Sequence, residues 1–269
     1  MNDTHTTCRI AEYVHDISYA LPVPGEGFLP IRSYLILGRQ PVLIDTGAVA
    51  GARGFLEALE SLVDPADLGW IVLSHPDTDH TGALTALLEK APKAKLVLNW
   101  TSTGKLSAVI QPPLPRIRWV NAGESFAAGE RVLHFLRAPM YDCPSTVAVF
   151  DSKSRALFSS DAFGGFIQEV TETFSEQKAP ETALEGMSHF CRANSPWLSD
   201  VRPERYAAAL KTYSDLEPSW LLSGHFPAVE APNVGTIIAR AAKFPDEGRV
   251  QLPGQQALDA ALASLGQAA

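Results

Sequence analysis

The sequence predicts a mixed α/β fold with more than one segment of β-sheet. Short apolar runs alternate with helical patterns in the first half of the chain, β-like runs then follow one another closely, and helical patterns return later. Such alternation is typical of layered folds in which helices cover the faces of a sheet. No internal repeat, low-complexity segment or interdomain linker breaks the pattern, so we expect a single domain over residues 1–269.

Runs of apolar residues bounded by turn residues predict the strands. A hairpin is expected where the polar turn 38–40 separates the apolar runs 33–37 and 41–44, and a β-meander is expected after Gly123. The predicted strands cover residues 13–19, 33–37, 41–44, 70–73, 95–99, 117–120, 132–137, 146–150, 156–159 and 220–223. The run at 220–223 is expected to be the last strand of the chain.

Helical spacing of apolar residues predicts the helices. Apolar side chains recur every three or four positions from Phe55 to Val63, and Pro92 is expected to end the helix after the next strand. Thr101 is expected to cap the third helix. The predicted helices cover residues 55–63, 83–90, 101–110, 181–193 and 203–213, and residues 254–269 form an Ala-rich helix or tail.

The composition narrows the functions that the chain can have. Hydrophobic residues make up 46% of the chain, which is enough for a substantial core. Lys and Arg number 22 against 30 Asp and Glu, and this acidic balance argues against a nucleic-acid surface, which needs clustered positive charge. No apolar run approaches the length of a membrane span. We therefore expect neither nucleic acid nor a membrane as a partner.

The N-terminus and the cysteines indicate a compartment. Residues 1–8 lack a basic stretch followed by an apolar stretch, so no signal peptide is expected. Cys8, Cys143 and Cys191 are odd in number and have no CxxC spacing, which argues against a disulfide framework. The reducing cytoplasm is the simplest compartment for such a chain.

Four groups that can bind a metal ion lie within six positions of one loop: His75, Asp77, Asp79 and His80. The loop joins the end of the apolar run 70–73 to the start of a helical pattern. A loop can direct alternate side chains toward one point, and imidazole with carboxylate suits zinc, iron or manganese. A helix N-cap would explain Asp79 alone, but it would not explain two histidines that flank two aspartates. The loop therefore predicts a metal site.

Single acidic or imidazole side chains also follow other apolar runs. Asp142, Asp161 and His225 each stand at a strand end, where a rigid sheet can bring loops together. Each has a structural explanation as well: a turn residue, a cap and a hydrogen-bonded core histidine, respectively. Asp45 ends another apolar strand, where it is either a turn residue or a carboxylate that orients a ligating histidine. The residues alone leave these alternatives open.

The order of these residues resembles the metallo-β-lactamase superfamily. The first motif of that superfamily, H-x-H-x-D-H, is similar to residues 75–80 of this chain. The later single ligands of the pattern fall on Asp142, Asp161 and His225, and residues 45–47 resemble its early strand-end motif.

This resemblance covers residues 33–225. It implies an α/β fold of the αββα sandwich type, with two sheets packed between helices and the metal ions at one edge. Residues from about 226 to 269 would then form a C-terminal helical extension of the single domain.

Within the superfamily, the chain is most similar to the diiron domain of flavodiiron proteins and of oxygen-binding diiron relatives that lack flavodoxin. Residues 137–144 resemble the Pro-Met-x-His-x-Pro segment of that family, and residues 161–164 resemble its bridging-aspartate segment. Asp77 stands where these relatives carry Glu and hydrolases carry His. Asp142 stands where both groups carry His, and this is the larger departure.

The resemblance implies two metal positions that share one carboxylate. The first position would have His75, Asp77, Asp142 and Asp161, and the second would have Asp79, His80, His225 and the same Asp161. Four carboxylates would then balance two divalent ions. The oxygen-rich first position shifts the preference from zinc toward iron or manganese, and the family resemblance makes iron the favoured metal, with zinc or manganese as alternatives. A protein with only the second position filled is the alternative.

These observations favour one function and leave two alternatives open. The first is a dinuclear non-haem iron protein that binds or reduces O2 or NO, with water or O2 at the metal bridge. The alternative is a metal-dependent hydrolase of an ester, lactone or thioester that uses a metal-bound hydroxide. The third is a metal-binding sensor without catalysis. Beyond the metal, the catalytic groups are unknown, although Tyr141 could direct its hydroxyl into the pocket.

The resemblance also carries expectations about partners. A small molecule is the expected ligand or substrate. Because few residues follow His225, we expect no flavodoxin module and no flavin in this chain, so a redox role would need an external electron donor. A homodimer is expected from the resemblance alone.

Overall fold

Two β-sheets form the central layers of the computed structural model, which describes residues 5–267. In the first sheet the strands follow one another in chain order: β1 (Thr6–Arg9), β2 (Val14–Val23), β3 (Gly27–Ile36), β4 (Val42–Ile44), β5 (Trp70–Val72), β6 (Lys95–Leu98) and β7 (Ile117–Trp119). Neighbours from β1 to β4 are antiparallel, and neighbours from β4 to β7 are parallel.

The second sheet contains the predicted meander and two strands from the later chain. In spatial order it consists of β13 (Val229–Glu230), β12 (Trp220–Leu222), β11 (Ala156–Phe158), β10 (Val147–Asp151), β9 (Arg131–Arg137) and β8 (Ser125–Ala128). All neighbours are antiparallel except β11 and β12, which are parallel. The chain reaches β12 from β11 through two helices, as a parallel pair requires.

Helices cover the outer faces of both sheets: α1 (Ala52–Glu60), α2 (Leu84–Lys90), α3 (Trp100–Ser107), α4 (Pro180–Asn194), α5 (Pro203–Ser214) and α6 (Ala231–Ala241). A further helix, α7 (Gln255–Gln267), is exposed at residues 255–260. Helices α1 to α3 connect the parallel strands β4 to β7 of the first sheet. Helices α4 to α6 belong to the part of the chain that follows β11 and pack on the second sheet.

Three clusters of buried side chains fill the interfaces between four layers. Successive side chains of a strand point to opposite faces, and this alternation separates the clusters. In β4, Leu43 packs with the helices of the first sheet, whereas Val42 and Ile44 pack between the sheets. In β10, Ala148 and Phe150 pack with α4 to α6. The layers are therefore helix, sheet, sheet and helix, which confirms the predicted αββα sandwich.

Some local predictions were wrong, and each error has a physical reason. The run at 220–223 is not the last strand, because Val229–Glu230 adds β13 beside β12. Strands β1, β8 and β13 and helix α6 were missed, since strands of four or two residues give little alternation and α6 contains Pro and Gly. Asn99, not Thr101, caps α3: the Asn99 side chain accepts a hydrogen bond from the Ser102 N–H.

The C-terminal part of the chain includes both packed and exposed helices. Val234 and Ile237 of α6 are buried in the same cluster as α4 and α5, and Phe244 lies in this cluster as well. The division between domain and helical extension at about residue 226 stays a prediction. Residues 1–4 and 268–269, the ends of the predicted domain, lie outside the described residues. Among residues 5–267, no helix is both long and apolar enough to cross a membrane.

Arg131 forms a buried ion pair within the second sheet and a hydrogen bond to the first sheet. Arg131 of β9 and Asp151 of β10 have fully buried side chains, with Nη1 and Oδ2 2.5 Å apart. The second guanidinium nitrogen of Arg131 donates to the carbonyl of Leu37, which follows β3 in the first sheet. The pair therefore couples the ends of two layers.

Replacement of Arg131 by Met should destabilise the fold strongly, because it leaves the Asp151 carboxylate buried without its cation. Loss of one partner of a buried pair costs about 3–5 kcal/mol in the free energy of unfolding. Denaturant unfolding of Arg131→Met measures this loss. Arg39→Met is the matched control. Arg39 is 80% exposed and its Nε lies 3.5 Å from Oε2 of Glu130, and because such surface pairs contribute little, this variant should change the free energy of unfolding little. Equal losses in the two variants would contradict the structural role of the buried pair.

Candidate metal centre

All seven predicted ligands lie together at one edge of the two sheets. They come from the loops that follow β5, β9, β11 and β12. Donor atoms within 4.8 Å of one another form three overlapping groups: His75, His80 and Asp161; Asp79, His80 and His225; and His75, Asp77 and Asp142. The structure therefore brings together residues that are separated by up to 150 positions in the sequence.

Asp45, at the end of β4, holds both ends of the loop that carries the first four candidates. Its Oδ1 accepts a hydrogen bond from the backbone N–H of Ser74 at 2.8 Å, and its Oδ2 accepts from the Ser74 hydroxyl at 2.7 Å. The same Oδ2 lies 2.9 Å from Nδ1 of His80. Asp45 thus contacts a histidine of the cluster, and it does so with a positive φ of 59°, a conformation that Asp tolerates better than most residues.

The end of this loop packs so closely on the chain after β4 that only glycine fits at position 82. A Cβ on Gly82 would lie 2.1 Å from the carbonyl carbon of Ala48. The Gly82 N–H donates to the carbonyl of Gly47 at 2.7 Å. The loop is therefore fixed to the first sheet at both ends, and its side chains are held toward the strand ends.

Each histidine of the cluster is oriented through its Nδ1 atom. In His225, Nδ1 lies 2.8 Å from the carbonyl oxygen of Pro30, so Nδ1 must donate, and in the neutral ring Nε2 then has a free lone pair. In His80, Nδ1 faces the carboxylate of Asp45. In His75, Nδ1 lies 3.1 Å from the hydroxyl of Ser160. All three Nε2 atoms therefore face the interior of the cluster, as in metal sites where the other nitrogen is held by hydrogen bonds.

Asp161 is the central carboxylate. Its Oδ1 lies 3.0 Å from Nε2 of His80 and 3.3 Å from Nε2 of His225, and its Oδ2 lies 3.7 Å from Nε2 of His75. Asn194 of α4 donates to Oδ2 at 3.2 Å. One buried carboxylate thus reaches three imidazoles that come from both sheets.

The remaining carboxylates lie around this centre at more exposed positions. Oδ2 of Asp77 is 3.7 Å from Nε2 of His75, and Oδ2 of Asp79 is 3.4 Å from Nε2 of His225. Asp142 groups with His75 and Asp77 and is exposed. The carboxylates therefore form the solvent side of the cluster, and the imidazoles form its buried side.

The charges of the cluster compensate one another. Burial would raise the pKa of the Asp161 carboxyl, but the neighbouring imidazoles outweigh burial and hold that pKa well below its usual range. Burial would lower the pKa of His80, but Asp45 and Asp161 raise it well above its usual range. The pKa of His225 is raised by Asp161 in the same way, against burial. Partial desolvation and the charge of Asp161 together raise the pKa of Asp142, although its side chain reaches the surface. The imidazoles of His80 and His225 and the carboxylate of Asp161 thus favour one another's charged forms within one buried volume.

Three buried polar atoms of this cluster make no hydrogen bond of acceptable geometry with any described residue: Nε2 of His75, Nε2 of His80 and Oδ1 of Asp161, although the last two lie 3.0 Å apart. A buried polar atom without a partner costs about 1–3 kcal/mol. Cations would satisfy these atoms at once and replace the protons on the imidazoles, because metal binding requires neutral histidine. The residues present therefore fit divalent metal ions.

Sequence reasoning missed several residues around the cluster. Ser74 and Ser160 lie beside His75, and the Ser160 hydroxyl donates to the Ser74 hydroxyl at 2.9 Å. Ser74 directly precedes His75 and Ser160 directly precedes Asp161, and these positions in the sequence could have indicated that the two hydroxyls help to orient the ligands. The carbonyl of Pro30 gave no signal, because every residue has one. The Tyr141 hydroxyl lies 3.3 Å from a guanidinium nitrogen of Arg137, at the edge of the site.

An αββα sandwich with histidines and aspartates clustered at its strand ends defines a protein of the metallo-β-lactamase type. Comparison with known families agrees with this class. The family described as "ODP family beta lactamase" matches residues 29–201, which is well over half of the chain. The chain belongs to this family.

Known proteins similar to this chain are flavodiiron proteins and related flavoproteins. The chain is 30% identical over 201 residues to a protein of Thermosynechococcus vestitus that is named as a putative diflavin flavoprotein. The matched segment covers 74% of this chain and 30% of that protein. It is 28% identical to the anaerobic nitric oxide reductase flavorubredoxin of Salmonella arizonae, over 63% of this chain and 37% of the relative. The chain thus spans about a third of the length of these curated relatives.

The fold similarity extends further than the sequence similarity. The crystal structure of the flavodiiron protein from Giardia intestinalis superposes with a TM-score of 0.78 at 18% identity, over 91% of this chain and 61% of that chain. At this level of identity the match shows a common fold.

Replacement of Asp45 by Asn should weaken metal binding without unfolding the protein. Asn tolerates the positive φ at this position, but it removes the anionic acceptor for Nδ1 of His80. Loss of such a partner lowers metal affinity on the order of 10- to 100-fold. Competition for zinc against a coloured chelator measures the affinity, and Asp67→Asn, at an exposed position, is the control. An unchanged affinity in Asp45→Asn would refute the orienting role of Asp45.

Proposed function

We propose that this chain holds a dinuclear non-haem iron centre and binds or reduces O2 or NO with electrons from an external donor. The observation that carries this proposal is the cluster around Asp161, in which three buried polar atoms make no hydrogen bond of acceptable geometry with any described residue. The name of a relative, nitric oxide reductase, supports NO as a substrate. The resemblance to oxygen-binding diiron proteins supports O2.

In this proposal the cluster provides two metal positions. The first consists of His75, Asp77 and Asp142, and the second consists of Asp79, His80 and His225. Asp161 would serve both, since its two oxygens face imidazoles of the two groups.

The donor types support iron over zinc. Together the two positions have three imidazoles and four carboxylates, whose charges balance two divalent ions. The cysteines do not belong to any of the donor groups within residues 5–267. Donor sets of imidazole and carboxylate without thiolate suit iron and manganese. Iron remains the favoured metal, with zinc and manganese as alternatives.

The residues of the chain orient the donors and limit the access of water. Asp45 and the carbonyl of Pro30 hold two imidazoles by their Nδ1 atoms. The ring of Phe190 packs 5.4 Å from the ring of His225 and closes the buried side of the cluster. Two redox-active ions bound there would supply a coordination site for a diatomic ligand and the electrons for its reduction. The exposed carboxylates of Asp77 and Asp142 leave this site open on the solvent side.

The proposal also includes the source of electrons, the oligomeric state and the compartment of the protein. Two relatives carry flavin in their names and are much longer than this chain, so we assign flavin-dependent electron delivery to a separate module or protein. The resemblance supports a homodimer, and the cysteine pattern supports a cytoplasmic protein. The competing function is metal-dependent hydrolysis of an ester, lactone or thioester.

Metal analysis of protein purified without added metal separates these functions. We expect two iron ions per chain and a change in the absorption spectrum when the reduced protein meets O2 or NO. Two zinc ions per chain, with no spectral change on exposure to either gas, would contradict the diiron proposal. Turnover of a panel of lactones and thioesters by the same zinc protein would then support hydrolysis.

Replacement of Asp161 by Ala should remove metal from both positions, because this carboxylate faces imidazoles of both. Elemental analysis of the purified variant measures the loss. Asp67→Ala is the control, and it should keep the metal content of the wild type. Full metal content in Asp161→Ala would refute the bridging role of Asp161, and loss of a single ion would assign it to one position only.

A further inference from the structure

We propose that the two metal positions are unequal and that Asp142 makes them so. The first position, His75 with Asp77 and Asp142, would discriminate less between Zn²⁺ and the harder ions Mn²⁺ and Fe²⁺. It would also exchange its ion more readily than the second position, Asp79 with His80 and His225. This inference rests on the proposed function, because it requires two metal positions.

The donor types of the two positions differ. The first position has one imidazole and two carboxylates of its own, and the second has two imidazoles and one carboxylate. Asp161 adds one carboxylate to each. Oxygen donors suit Mn²⁺ and Fe²⁺, whereas imidazole strengthens the binding of Zn²⁺. A histidine at position 142 would make the two sets alike, so Asp142 is the residue that separates them.

The second position is also better held in place. Nδ1 of His80 faces the carboxylate of Asp45 at 2.9 Å, and Nδ1 of His225 faces the carbonyl of Pro30 at 2.8 Å. A carboxylate or carbonyl partner fixes the ring and makes Nε2 more basic. Nδ1 of His75 has only hydroxyl partners, at 3.1 and 3.2 Å. A hydroxyl polarises the ring less, so the single imidazole of the first position is the weaker donor.

Solvent reaches the first position more easily. The imidazoles of both positions are each 1% exposed, so the carboxylates decide the difference. The first position has two exposed carboxylates, Asp77 at 43% and Asp142 at the surface, whereas the second has one, Asp79, at 35%. Exposed carboxylates can turn toward water, and water can replace them at a metal ion. We therefore expect faster exchange at the first position.

A nearby cation also weakens the binding of a metal ion at the first position. The ammonium group of Lys105 lies 3.1 Å from the sulfur of Cys143, the residue after Asp142, and it interacts electrostatically with Asp77 and Asp142. Like charges repel, so Lys105 weakens the attraction of this position for a divalent ion. No described residue of the second position is paired with a lysine or arginine.

Competition between Mn²⁺ and Zn²⁺ tests the inference on metal-free protein. Free Mn²⁺ gives an electron paramagnetic resonance signal that disappears when the ion binds, so the readout does not depend on activity. The wild type, first given one equivalent of Zn²⁺, should still bind one equivalent of Mn²⁺. In Asp142→His, the amount of Zn²⁺ needed to displace this Mn²⁺ should fall on the order of 10- to 100-fold. The exposed Asp67→His variant should behave as the wild type.

The outcomes distinguish this inference from the proposed function. If the wild type binds two Zn²⁺ ions with equal affinity, or if Asp142→His displaces Mn²⁺ no more easily, the inequality is refuted and the dinuclear proposal stands. If the wild type binds neither ion, the proposed function itself fails. Circular dichroism of Asp142→His confirms that the variant is folded, as expected for a change at an exposed position.

Discussion

The central constraint in this structure is one carboxylate among three buried imidazoles. Asp161 lies within 3.0 to 3.7 Å of Nε2 of His75, His80 and His225. Without a bound cation, the Asp161 carboxylate is balanced by neighbouring imidazoles, and the pKa values of Asp161, His80 and His225 all shift in the direction that favours the charged form. The arrangement is costly as a purely structural feature, but it is the expected form of a site that binds metal ions.

The two sheets share the task of holding this arrangement. Asp45 and Pro30, from the first sheet, orient His80 and His225, and the latter follows β12 of the second sheet. Ser160, beside Asp161, adopts a positive φ of 56° and supports His75 from the opposite sheet. Packing between the sheets and geometry at the site therefore depend on each other. A change in the register of either sheet would move a donor away from the cluster.

Much of this could be predicted from the sequence, because hydrophobic alternation and strand-end positions have local signals. Val42, Leu43 and Ile44 alternate between two faces, and the loop at 75–80 contains four donor groups. Other features have no such signal. The carbonyl of Pro30 is a backbone atom, and β13 consists of two residues that pair only because β12 is already in place. The contact between Asn194 and Asp161 depends on how α4 packs, which local spacing does not determine.

The most direct test is a crystal structure of the protein as purified, with diffraction data collected at the absorption edges of iron, manganese and zinc. We expect two anomalous peaks, roughly 3.5–4 Å apart, on either side of the Asp161 carboxylate. The strongest signal is expected at the iron edge. A single peak, or two peaks that Asp161 does not bridge, would contradict a dinuclear centre held by Asp161.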